Sequence, residues 1–76
     1  MSKREIIFKF CEEHASIRSI TLKTEFTRVC PTFFDFVALC TDIEIYFNQP
    51  LSLEGKLQDS FQNVEEFTVW MIEKLN

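Results

Sequence analysis

An all-α bundle of three main helices plus one short helix, with a long first loop, is the fold the sequence predicts. Three observations carry that prediction. Only one Gly and two Pro punctuate the 76 residues, too few turn formers for a chain of short strands. Apolar residues recur at three- and four-residue steps in three separate stretches, the period of a helix face. Each stretch follows a residue suited to cap a helix: Ser2, Thr32 and Asn63.

The chain is read as a single domain, 1–76, near the lower size limit for a self-sufficient core. An apolar content of 46%, including nine Phe, supplies that core. The first helix begins at "SKRE", where Ser2 and Glu5 have the spacing of a capping box. Ile6, Ile7, Phe10, Cys11 and His14 form its apolar stripe, which fades near Ala15. Ser16 to Pro31 is a long connection. Its Ile20-x-Leu22 alternation has no second strand to pair with, and an isolated strand is unstable. The expectation is a loop whose Ile20, Leu22 and Phe26 dock on the bundle.

The second helix opens in "CPTFFDFVALC". Pro31 cannot continue a preceding helix, Thr32 is the N-cap, and Asp35 sits at N3. Phe36, Leu39, Cys40, Ile43 and Phe47 form the stripe that enters the core, and Asn48-Gln49-Pro50 ends the helix. A short third segment, Leu51–Phe61, has the length for about two helical turns, weakened by Gly55. The last helix is capped by Asn63, with Glu66 reciprocating. Its stripe is Val64, Phe67, Met71 and Leu75, with Trp70 alongside, and Lys74 complements the dipole at its C-terminal end.

No stretch approaches the roughly 20 apolar residues of a membrane span, and Glu5, Lys9, Glu12 and Glu13 interrupt any signal-peptide core. A soluble, cytoplasmic protein is the expectation. Charge is uneven along the chain. Residues 1–28 hold six Lys/Arg against four Glu, a net of +2, and residues 29–76 hold two Lys against eight Asp/Glu, a net of −6. An acidic second half disfavours nucleic acid as a partner and favours basic protein surfaces.

The chemistry-bearing residues are sparse. Cys11, Cys30 and Cys40 are an odd number without metal-ligand spacing, so small buried apolar roles are expected. Cys11 and His14 stand at i and i+3, but there is no second His to complete a zinc site. The same pair lacks the orienting partner a nucleophile needs, and one Gly cannot build a phosphate loop. Glu12-Glu13 and Glu65-Glu66 read as solvated or capping residues. Neither an enzyme nor a metal protein is expected.

The helix layout, with "DFVALCTDIEIYF" and "VEEFTVWMIEKL", resembles the acyl carrier protein family. Members are small acidic bundles with a long first loop and a central helix that opens Asp-Ser-Leu-Asp. Asp35, Val37, Leu39, Ile43, Glu44 and Phe47 fall on positions of the family's central helix, and Val64, Glu66, Phe67 and Trp70 on its last one. The resemblance covers about 70 residues through degenerate helix patterns. It implies a carrier role in fatty-acid or polyketide biosynthesis, with phosphopantetheine as the attached group.

One departure changes that implication. In this register Thr32 replaces the family's first Asp, Phe33 replaces the serine that bears the phosphopantetheine arm, and Phe34 replaces the leucine beside it. Phe33 has no nucleophile, so the resemblance implies a carrier-like protein without its cofactor. The hydroxyl of Thr32 is expected to be spent on capping. Ser60, in "DSFQNVEEF", mimics the attachment motif and is the fallback site, although too little chain follows it for two further helices.

A second departure is that Ala38 and Ile45 stand where the family commonly places carboxylates. The outward face of the central helix is then expected to run through Phe33, Val37, Thr41 and Glu44. It is either a protein-binding surface or, at Phe33, a side chain folded over the long loop. The partners implied are acyl-chain synthases or carrier-modifying enzymes with basic docking patches. The alternative is a small helical protein-interaction module unrelated to acyl transfer.

Overall fold

Side chains set three of the four helix starts. In the computed structural model, which describes Met1–Asn76, α1 spans Lys3–His14, α2 Phe26–Val29, α3 Phe33–Phe47 and α4 Val64–Lys74. Ser2 Oγ accepts from the Glu5 N–H at 3.2 Å, and the Glu5 carboxylate accepts from the Ser2 N–H at 3.2 Å. These bonds hold the Glu5 carboxyl below its ordinary range, the backbone bond contributing most. Thr32 and Asp35 repeat the same box at the head of α3, with Asp35 N–H to Thr32 Oγ1 at 3.1 Å and Thr32 N–H to Asp35 Oδ2 at 3.1 Å. Asn63 Oδ1 caps α4 by accepting from the Glu66 N–H at 3.0 Å. The reciprocal bond is shifted by one residue, because Glu66 Oε1 accepts from Gln62 rather than from Asn63. Asn48, at φ 51, ends α3 in the left-handed conformation and donates to the carbonyls of Glu44 and Ile45.

The short helix does not lie where the sequence suggests. Leu51–Phe61 contains isolated turns and no helix. Glu54 and Gly55 take φ values of 53° and 78° in succession, a left-handed pair that interrupts helical propagation. The short helix is instead α2, inside the long first connection. There Phe26 and Val29, three residues apart, are both buried at 0% and 1% exposure, so one turn of helix puts both into the core. The expected docking of that connection is found: Ile20 and Phe26 are buried, and Leu22 packs on the core from a half-buried position.

A single antiparallel bridge joins Glu25 to Asn63. Around it, Phe26 N–H donates to Gln62 O at 3.3 Å, Val64 N–H to Thr24 O at 3.0 Å and Glu65 N–H to Leu22 O at 3.0 Å. The long connection thereby supplies carbonyls to the unpaired N–H groups at the head of α4.

α1 packs against both α3 and α4, while no Cα of α3 comes within 8 Å of one in α4. Aromatic rings fill the space between those two helices. Phe26 stacks on Phe67 with centroids 4.6 Å apart, Phe36 meets Phe67 edge-on at 6.1 Å, and Phe61 lies 5.1 Å from Trp70. Two helices held this far apart need large side chains between them to reach native packing density. That need accounts for much of the phenylalanine content. Of the stripes read from the sequence, Ile7 and Cys11 from α1, Phe36, Leu39, Cys40 and Ile43 from α3, and Val64, Phe67, Met71 and Leu75 from the last helix and its cap are buried, whereas Phe10, Phe47 and Trp70 pack on the core from half-buried positions and Ile6 and His14 stay half-buried at its edge. No helix is long and apolar enough to cross a membrane.

Candidate partner-binding surface on the central helix

α3 presents one side to the core and the opposite side to solvent, and its first turn decides how its phenylalanines divide. An α-helix advances about 100° per residue. Phe36 is fully buried, so Phe34, two residues earlier, lies roughly 200° away and faces outward; it is 80% exposed. Phe33 is 46% exposed, with its ring centroid 6.3 Å from that of Phe36. It rests partly on the α3 end of the aromatic layer.

The four residues expected on the outward face are thus in different surroundings. Phe33 and Thr41 are exposed, and Val37 and Glu44 are half-buried. Val37, Thr41 and Glu44, with Cys40, Leu51 and Leu53, line a shallow cleft of ≈ 180 Å³. Glu44 Oε2 accepts from the Leu51 N–H at 2.7 Å, so the segment after α3 is clamped back along this side of the helix. Thr41 Oγ1 donates to Val37 O at 2.8 Å, which satisfies the hydroxyl within the helix.

The most exposed side of α3 lies further round. Phe34, Ala38, Thr41 and Ile45 fall at steps of four, three and four residues, which align them on one stripe. Ile45 is 70% exposed. The sequence already contained the signal: once Phe36 and Ile43 are assigned to the core, the opposite side of the helical wheel reads Phe34, Ala38, Thr41, Ile45.

Hydroxyls near the head of α3 are engaged. Thr32 Oγ1 donates to Asp35 Oδ2 at 2.8 Å while accepting from the Asp35 N–H, as its capping role requires. Ser60 is exposed, and its Oγ accepts from the Leu57 N–H at 2.9 Å in the turn before Phe61. It lies three residues ahead of the Asn63 cap of α4 rather than in the first turn of a helix.

Cys11, Cys30 and Cys40 are unpaired and buried. Burial pushes the thiols of Cys30 and Cys40 up to about 12, and that of Cys11 up as well, the other thiols adding to the effect at Cys11 and Cys30. Thiols held protonated in this way are poor nucleophiles and poor metal ligands. His14 Nε2 lies 2.6 Å from Asp42 Oδ2, tying the end of α1 to α3. No three His, Cys, Asp or Glu side chains are grouped to share a metal ion. Lys74 pairs with Glu54 at 2.9 Å and sits 5.0 Å from the centre of the Trp70 ring, fastening the 51–61 connection to α4. The Lys74 bond and charge hold the Glu54 carboxyl below its usual range.

No protein-family description, curated protein or solved structure matches this chain.

Proposed function

We propose that this chain is an acyl carrier protein homologue that has lost its arm. In this reading it acts by non-covalent docking to enzymes of fatty-acid or polyketide-type acyl metabolism, and has no catalytic activity or cofactor of its own. The observation that carries the reading is at the head of α3. Phe33, at the position the resemblance gives to the modified serine, opens the helix with an aromatic ring, and the neighbouring Thr32 hydroxyl is committed to Asp35. The helical layout and the acidic second half of the chain support the same reading, since basic docking patches need a negatively charged counterpart.

The test is to incubate the protein with coenzyme A and a broad-range phosphopantetheinyl transferase and to weigh it intact, alongside a pull-down with a ketosynthase-type enzyme. The expected result is no mass gain and retention of the enzyme. An arm-sized gain mapped to Ser60 would overturn the loss of the arm. A second reading, an interaction module outside acyl metabolism, is favoured by the apolar side of α3, where Ala38 and Ile45 replace carboxylates. Partners drawn wholly from other processes would select it.

A further inference from the structure

We propose that α1 pairs with α1 of a second copy of this chain, antiparallel about a twofold axis at Phe8. The inference is independent of the acyl-metabolism reading. An open groove of ≈ 400 Å³ runs along one flank of α1, between the helix and Leu22 of the long connection, and Arg4, Phe8 and Glu12 line it. These three residues stand at steps of four, so they share one stripe of the helix. Phe8 is at the centre, with the Arg4 and Glu12 positions each about 6 Å away along the axis at 1.5 Å per residue. Phe8 and Leu22 pack on the core from half-buried positions, which leaves part of each side chain uncovered. Met1, 77% exposed, lines the same groove.

Charge selects the occupant. The ion pairs within the chain are His14–Asp42 and Lys74–Glu54, so Arg4 and Glu12 are both left without a charged partner. Glu5 and Lys9 also line the groove, but Glu5 is bonded to Ser2 and lies one turn before Lys9, the spacing at which opposite charges offset each other on a helix. A stripe that reads cation, aromatic, carboxylate at equal intervals is complementary to itself when reversed. In the antiparallel pair Phe8 meets Phe8, and Arg4 of each copy meets Glu12 of the other, as an isologous contact requires. A guanidinium and a carboxylate make the stronger, two-pronged kind of ion pair. A uniformly acidic or uniformly basic partner would match one end of the stripe and be repelled at the other. The net charge of −4 opposes self-association in general, but residues 1–28 carry a net +2 and the acid is concentrated in 29–76. Pairing through α1 brings together the halves that are not acidic.

The experiment follows the full chain by sedimentation velocity from micromolar to millimolar concentration. It compares the unaltered protein, Arg4→Glu, Glu12→Arg and an equimolar mixture of the two variants. One helix–helix contact is small beside the ~800 Å² per partner of a standard interface, so the expected result for the unaltered protein is a concentration-dependent monomer–dimer equilibrium. Each variant alone sets like charges against each other at both ends of the stripe and should weaken the dimer about tenfold or more. In the mixture every end again faces an opposite charge, and the dimer should return as a mixed pair. Both positions are exposed, and far-UV circular dichroism checks that the variants fold. An unaltered protein that stays monomeric up to millimolar concentration overturns the proposal. A dimer that either variant leaves unchanged overturns it too, as does a mixture no more associated than its components.

Discussion

Replacing Phe26 by alanine removes the residue that anchors the long first connection. Its ring is fully buried and contacts three others: stacked on Phe67 at 4.6 Å, edge-on to Phe61 at 5.5 Å and edge-on to Phe36 at 6.0 Å. A buried Phe→Ala change costs about 3–5 kcal/mol through lost transfer energy and the cavity left behind. The position favours the upper part of that range, because each aromatic pair adds about 0.5–1.5 kcal/mol beyond area burial. A chain of this length has roughly 4–11 kcal/mol of stability in all, at about 0.05–0.15 kcal/mol per residue. Phe26→Ala should therefore remove a third or more of it and lower Tm by more than about 12 °C, at 4–8 °C per kcal/mol. Urea unfolding followed by Trp70 fluorescence measures the change, since Trp70 lies 5.1 Å from Phe61 in the same layer. Phe34→Ala is the control. At 80% exposure it should change stability by no more than about 0.5 kcal/mol. A cost below about 1 kcal/mol for Phe26→Ala would refute the conclusion that the connection is part of the core rather than a loop lying on it.

Two further predictions concern the thiols and the head of α3. With Cys11, Cys30 and Cys40 buried and their thiols pushed up, a disulfide reagent at mildly alkaline pH should label none in the folded protein and three after denaturation. The same shifts make stability fall as pH rises, because the unfolded state releases thiol protons first. The loss begins near the ordinary thiol value of 9 and continues towards about 12 for Cys30 and Cys40, with little thiol-linked change below that window; urea titrations on either side of pH 9 measure it. Thr32→Ala removes one half of the α3 capping box and should cost about 1 kcal/mol, with Thr32→Ser recovering most of it. An unchanged urea midpoint for Thr32→Ala would show that α3 is held by packing alone.

Much of the helical framework was legible in the residues because its causes are local. Ser2–Glu5 and Thr32–Asp35 form the capping boxes their spacing implies, and Asn48 stops α3 where expected. Phe36, Leu39, Cys40 and Ile43 of the α3 stripe are buried and Phe47 is half-buried at its end, since a 3.6-residue period leaves an amphipathic helix only one way to face a core. Thr68 escaped this reading. It is fully buried in α4, its hydroxyl bonded to Val64 O at 2.8 Å, and a residue type that is usually exposed does not announce such a role. The short helix escaped it as well. Both the 26–29 and 51–61 segments have weak helical patterns, and only contacts with distant residues choose between them.

The candidate surface divides in the same way. Its composition, apolar residues on an acidic and cation-free stretch, belongs to the sequence. Which members reach solvent does not. The sequence by itself determined the boundaries of the three longer helices, their core faces and the absence of a nucleophile at Phe33, all set by neighbours within a turn or two along the chain. Tertiary structure alone decided that the 51–53 segment folds back over Val37 and Glu44 and that Phe34 and Ile45 stay uncovered. The physical reason is that exposure depends on what packs above a residue. Here that is a bond from Leu51 to Glu44, seven residues away, and an aromatic layer built from residues 26 to 70.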